Sequence, residues 1–96
     1  MEFEWDEAKS RANFAKHGID FETAQRIFGG PVFTRPDRRR DYGEARHVSI
    51  GRVEAAVIVV VHTERGRRMR LISARPASRK ERQIWHEQIQ AAPDAG

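Results

Sequence analysis

One stretch constrains the fold more than any other. From Glu54 to Thr63 the chain is apolar at both parities: Ala55, Val57, Val59 and Val61 on one side, Ala56, Ile58 and Val60 on the other. A strand alternates its side chains across a sheet, so this strand needs cover on both faces and belongs at the sheet's centre. The chain has 96 residues. That length predicts one domain, able to supply such cover with a modest core.

The flanking segments supply the partners. Glu44–Arg52 alternates, with Arg46, Val48 and Ile50 on one side and His47 and Ser49 on the other. Glu64-Arg65-Gly66-Arg67 reads as a hairpin turn, and Arg68–Ala74 as the last strand. Pro31–Arg35 reads as a short edge strand because of its proline, and Pro36–Gly43 as a charged loop. A first helix is predicted over Glu7–Lys16, capped by Asp6 and stopped by Gly18. Ala8, Ala12 and Ala15 form a small-residue packing face on it, with Phe3 and Trp5 extended over the core. A second, Phe21–Phe28, presents Ala24, Ile27 and Phe28 and ends at Gly29-Gly30-Pro31. A third, Arg79–Gln90, opens with a Ser78/Glu81 capping box and buries Ile84, Trp85 and Ile89. Residues 91–96 read as a flexible tail. The expectation is an α+β domain spanning 1–96, with two N-terminal helices, a four-stranded mainly antiparallel sheet and a C-terminal helix.

Charge narrows the function. Residues 1–30 hold four basic groups against six acidic, and residues 31–96 hold fourteen against eight, all arginine but for Lys80. Arginine's planar fork suits phosphate, so a polyanionic partner, nucleic acid above all, is the expectation. The bland alternative is a soluble basic surface. The absence of cysteine excludes disulfides, thiolate metal sites and a cysteine nucleophile. No apolar run approaches the ~20 residues a membrane helix needs. The acidic start MEFEWDEAK lacks an export signal pattern, so a cytoplasmic protein without membrane contact is expected. The four histidines show no metal-ligand spacing.

The stretch Leu71–Trp85 concentrates the cations: Arg75 at a strand end, then Arg79, Lys80 and Arg82 in the first turn of a helix. A second basic loop, Arg38-Arg39-Arg40, is expected to face it, with a merely solvated loop as the bland alternative. Three fragments, FEWDEAKSRANFAKHGIDF, YGEARHVSIG and HTERGRRMRLISARPASRKER, carry the signature W-D-x-x-K, N-x-x-K-H-G, G-E-x-R and R-L-I-S-A-R-x-A-x-R-x-E-R in order. Over residues 3–85 the chain resembles BrnT-type toxins of type II toxin–antitoxin systems. The resemblance implies a RelE-like fold and an endoribonuclease without a metal or other cofactor. It implies silencing by a BrnA-like antitoxin in a heterotetramer that dimerises through the antitoxin, with DNA contacted only through that partner. The last aromatic of the signature is more often tyrosine; here it is Trp85, read as a core residue.

Cutting RNA without metal needs a base for the 2′-hydroxyl, an acid for the leaving 5′-oxygen and cations for the phosphorane. Arg46, Arg75 and Arg79 are the first candidates for the charge, with surface ion pairs to Glu44, Glu64 or Glu81 as the alternative. His17, His62 and Glu44 are the candidate acid–base groups. His17 and Lys16 would equally serve as caps for the last helical carbonyls, and His62 as a satisfied rim histidine. Lys16, Tyr42, Arg65, Lys80 and Arg82 complete the candidate RNA-binding set. Two rival readings stand beside the nuclease: a nucleic-acid-binding module without catalysis, and a degenerate partner that only engages an antitoxin.

Overall fold

The computed structural model describes residues 1–39 and 41–91. The elements are β1 (Glu2–Glu4), α1 (Glu7–His17) and α2 (Phe21–Ala24), which runs on as a 3-10 helix over Gln25–Gly29. Then come β2 (Phe33–Pro36), β3 (Arg46–Val53), β4 (Ala56–Arg65), β5 (Arg68–Pro76) and α3 (Arg79–Ala91). The strands form one sheet in the order β1-β5-β4-β3-β2. The α+β class, the two N-terminal helices and the C-terminal helix are as expected, and β4 is the central strand. The sheet has five strands, not four, and it is mixed, because β1 pairs parallel with β5. Of the expected tail, Ala91 closes α3, and residues 92–96 lie outside the described residues, as does Arg40. Among the described residues no helix is long and apolar enough to cross a membrane.

The missed strand is Glu-Phe-Glu, too short to show a period. Backbone pairing with β5 holds it, and charge pairs favour the register. Glu4 accepts from Arg70 at 2.8 Å and Glu2 lies 3.5 Å from Arg68, each opposite its partner in register. Phe3 stacks on Phe28 at a ring separation of 5.6 Å. The acidic N-terminal third and the basic remainder thus meet along a strand pair.

Two clusters lie on opposite faces of the sheet. On one, Phe21, Ala24 and Ile27 pack against Val53, Ile58, Val60, Leu71 and Ala74. On the other, Trp85 and Ala77 pack against Ile50, Val57 and Val59. β4 contributes to both, as its double parity requires. Gly51 lets the 3-10 helix press onto β3; a Cβ there would sit 2.7 Å from Ile27 Cβ.

Helix α1 is capped as its sequence indicates. Asp6 accepts from the Lys9 N–H at 3.2 Å, and Gly18 closes the helix at φ 74°. Its packing face is another matter. Ala8, Ala12 and Ala15 are all exposed, and Ser10 and Asn13 turn inward instead. The reason is the sheet edge. β1 ends opposite Arg70, so among the described residues β5 beyond it has no strand on that side. The Asn13 amide fills the place, donating to Ala74 O at 2.8 Å and accepting from Ala74 N–H at 3.2 Å. It also donates to Ile19 O at 2.7 Å, while Ser10 Oγ accepts from Phe21 N–H at 2.9 Å. Backbone polarity at the edge, not apolar periodicity, orients this helix. Asn13→Ala is expected to destabilise the fold by about 2–3 kcal/mol, because it strands three backbone groups at once. A urea midpoint lowered at constant m is the check.

Candidate active site

Helix α3 covers the β2–β3 side of its sheet face through Trp85 and leaves Val59, Val61, Ser73 and Arg75 on the floor of a groove of about 640 Å³. Because α1 docks on the open edge of β5, its last turn delivers Lys16 and His17 to one wall. Arg35 of β2 and Asp37, Arg38 and Arg39 of the following loop also line it, as does Glu81 from the first turn of α3. Among the described residues, five cations thus meet two carboxylates and one histidine in one concavity. The expected juxtaposition of Arg75 with the second basic loop is present.

A bulge sets the floor. Val61 pairs with Ser73, but His62 pairs with Leu71, so Ile72 is an extra residue on β5. Leu71 and Ala74, three positions apart, therefore both reach the core, while Ser73 and Arg75 reach the groove.

Each carboxylate holds an arginine. Arg75 donates through Nη1 and Nη2 to the two oxygens of Glu81, both at 2.7 Å. Glu81 also completes the expected capping box: it accepts from Ser78 N–H at 2.9 Å, and its own N–H donates to Ser78 Oγ at 3.2 Å. The Arg75 fork, ahead of the Ser78 bonds, holds the Glu81 pKa down to about 2. Glu81 in turn raises the Arg75 pKa, opposed by burial and by the like charge of Arg39. On the loop, Arg39 Nε and Nη2 donate to Asp37 at 2.9 Å each, and this fork brings the Asp37 pKa to about 2.

The other candidates fall in three places. Glu44 lies 3.2 Å from Arg46 Nε and 3.7 Å from Arg65 Nη2, and the Arg46 guanidinium stacks on the Tyr42 ring at 3.9 Å. This cluster adjoins the groove, since the Arg46 carbonyl accepts from Asp37 N–H at 2.8 Å. Arg79, Lys80 and Arg82 are exposed on the first turn of α3 and do not line the groove, though Arg82 donates to Ala77 O at 3.3 Å.

His62 sits on the opposite sheet face, 4% exposed, with Nε2 2.7 Å from Ser49 Oγ and its ring edge-on to Phe28. The structure does not bring it to the arginines. Burial, then the nearby His47, push its pKa down to about 4, against ~6.5 in an unfolded chain. As pH falls, the unfolded chain takes up this proton first. Stability is therefore expected to be complete above pH ~6.5, to fall between ~6.5 and about 4, and to level off below, a loss on the order of 3 kcal/mol. Asp37 and Glu81 add a further loss at lower pH, from ~4.5 toward about 2. Urea midpoints across this range, lost as a pH effect in His62→Gln, check the assignment.

Sequence reasoning missed Arg35, Asp37 and Ser73, and expected Arg38 and Arg39 to face Arg75 without giving either a place in the site. The available signal was Pro36-Asp37 with an arginine two residues on, where an aspartate can bond forward along its own loop. Among the described residues, no group of three or more histidines or carboxylates is placed to hold a metal ion.

The family model described as ribonuclease toxin, BrnT, of type II toxin–antitoxin system matches residues 5–81. That span contains every residue lining the groove and stops short of Trp85. A search of curated proteins found no match. With most of the chain and the whole groove inside the family's pattern, the chain belongs to the BrnT family of ribonuclease toxins of type II toxin–antitoxin systems.

Proposed function

We propose that this groove is the active site of a metal-independent endoribonuclease. RNA enters along the cations, and His17 takes the proton from a 2′-hydroxyl. That oxygen bonds to the adjacent phosphorus, and the P–O5′ bond breaks. Lys16, on the same helix end, protonates the leaving 5′-oxygen. Arg75 and Arg39 carry the charge that builds on the phosphorane oxygens, the part a metal plays elsewhere. Glu44, locked between Arg46 and Arg65, acts on the RNA only through those arginines and Tyr42. A BrnA-like antitoxin silences the enzyme by covering the groove, in the cytoplasm where both are made.

The observation that carries this reading is that His17 and Arg75, distant in sequence, line one strongly basic groove. The test is cleavage of single-stranded RNA by the purified protein in excess EDTA, with analysis of the fragment ends. Fragments ending in 2′,3′-cyclic phosphate, with the matching DNA untouched, are expected. Intact RNA that is nonetheless bound in a salt-dependent way, with or without added ribosomes, would make the protein a binder rather than an enzyme.

A further inference from the structure

Asp37 is the one buried carboxylate among the described residues, with a side chain 1% exposed. A buried charge must be held on all sides, and here the partners come from its own loop. Arg39 supplies its fork and also its backbone N–H, at 3.3 Å. Tyr42 also favours the charged carboxylate. The Asp37 N–H is anchored in turn on the Arg46 carbonyl of β3. Arg39 nevertheless keeps 69% of its side chain exposed. The fork uses Nε and one N–H of Nη2, which leaves both N–H groups of Nη1 and the other of Nη2 pointing elsewhere. Its charge is felt at Arg75, which grips Glu81 end-on through Nη1 and Nη2.

We infer that Asp37 is a positioning residue for phosphate recognition: its buried carboxylate fixes the Arg39 guanidinium at the groove beside Arg75, so that the N–H groups the two arginines do not spend on carboxylates hold one RNA phosphate between them. The inference rests on the groove being an RNA site. A purely neutralising Asp37 makes the opposite prediction. Removing its charge would leave the groove more positive, and RNA would bind more tightly.

The test is binding of a single-stranded RNA oligonucleotide carrying 2′-O-methyl groups throughout, which cannot be cut by 2′-oxygen attack. Asp37→Asn is expected to weaken binding by about 10-fold despite the added positive charge, and to lower the slope of log K against log salt by ~0.7. Arg39→Ala should weaken binding equally, and the double variant no further. Arg38→Ala removes the same charge from the same loop and should cost distinctly less. Unchanged or tighter binding by Asp37→Asn overturns the inference. If that variant does not fold, equal losses in Arg38→Ala and Arg39→Ala overturn it instead. A wild type that binds this oligonucleotide but never cuts the natural one defeats the nuclease reading alone. One that binds no RNA defeats both.

Discussion

Arg75→Ala is expected to lower RNA cleavage by about 10²–10³-fold, the usual effect of deleting one donor aimed at charge that develops in a transition state. The fold should survive. The Arg75 side chain is 46% exposed, and its pair with Glu81 is a surface pair, worth at most about 1 kcal/mol. Glu81 keeps its Ser78 bonds without Arg75, so the start of α3 stays capped. Arg75→Lys should recover little, since an ammonium cannot face Glu81 and a phosphate at once with a planar fork. Arg79→Ala should have the smaller effect, because Arg79 stands outside the groove. Initial rates and a thermal melt on each variant decide. Cleavage by Arg75→Ala within about threefold of wild type would remove Arg75 from the site, and loss of its folded spectrum would make it structural.

Trp85→Ala should be the most damaging substitution for stability, by about 3–5 kcal/mol. The indole is 4% exposed and packs with Ile50, Val57, Val59 and Ala77, the cluster that fastens α3 to the sheet. Its Nε1–H donates to Pro31 O at 3.3 Å, tying the helix to the segment that leads into β2. For a domain of this size each kcal/mol lowers the melting temperature by roughly 4–8 °C, so a drop of about 12–40 °C is expected. Trp85→Phe keeps most of the buried area and should cost far less. It should also cleave RNA at the wild-type rate, because the ring is core. A cleavage defect in well-folded Trp85→Phe would mean that this position serves the chemistry after all.

Much of this was legible in the sequence because it is local. The Asp6 and Ser78/Glu81 caps, the Gly18 stop and the buried β4 all depend on residues a few positions apart. The pairing of the Arg75 region with a second basic loop followed from charge placement. What escaped depends on distant polar partners. β1 pairs with β5, where Glu2 and Glu4 meet arginines more than sixty residues away. Asn13 faces inward because β5 runs out of neighbours, which no periodicity in α1 records. His62 and His17 look alike as sequence, each at the end of an element. The alternation of β4 puts His62 on the core face with Ile58 and Val60, and the docking of α1 puts His17 in the groove.

The extra residue in β5 has one more consequence. The strand runs in two alternation frames, one before Ile72 that answers to the core and one after it that answers to the groove. Shortening the strand by that single residue would leave its composition almost intact yet exchange inside for outside downstream. Ala74 would turn to the groove and Arg75 would be driven toward the apolar layer. The site is therefore far more sensitive to length than to identity at this point. Ile72 acts as a spacer that keeps core and chemistry in step.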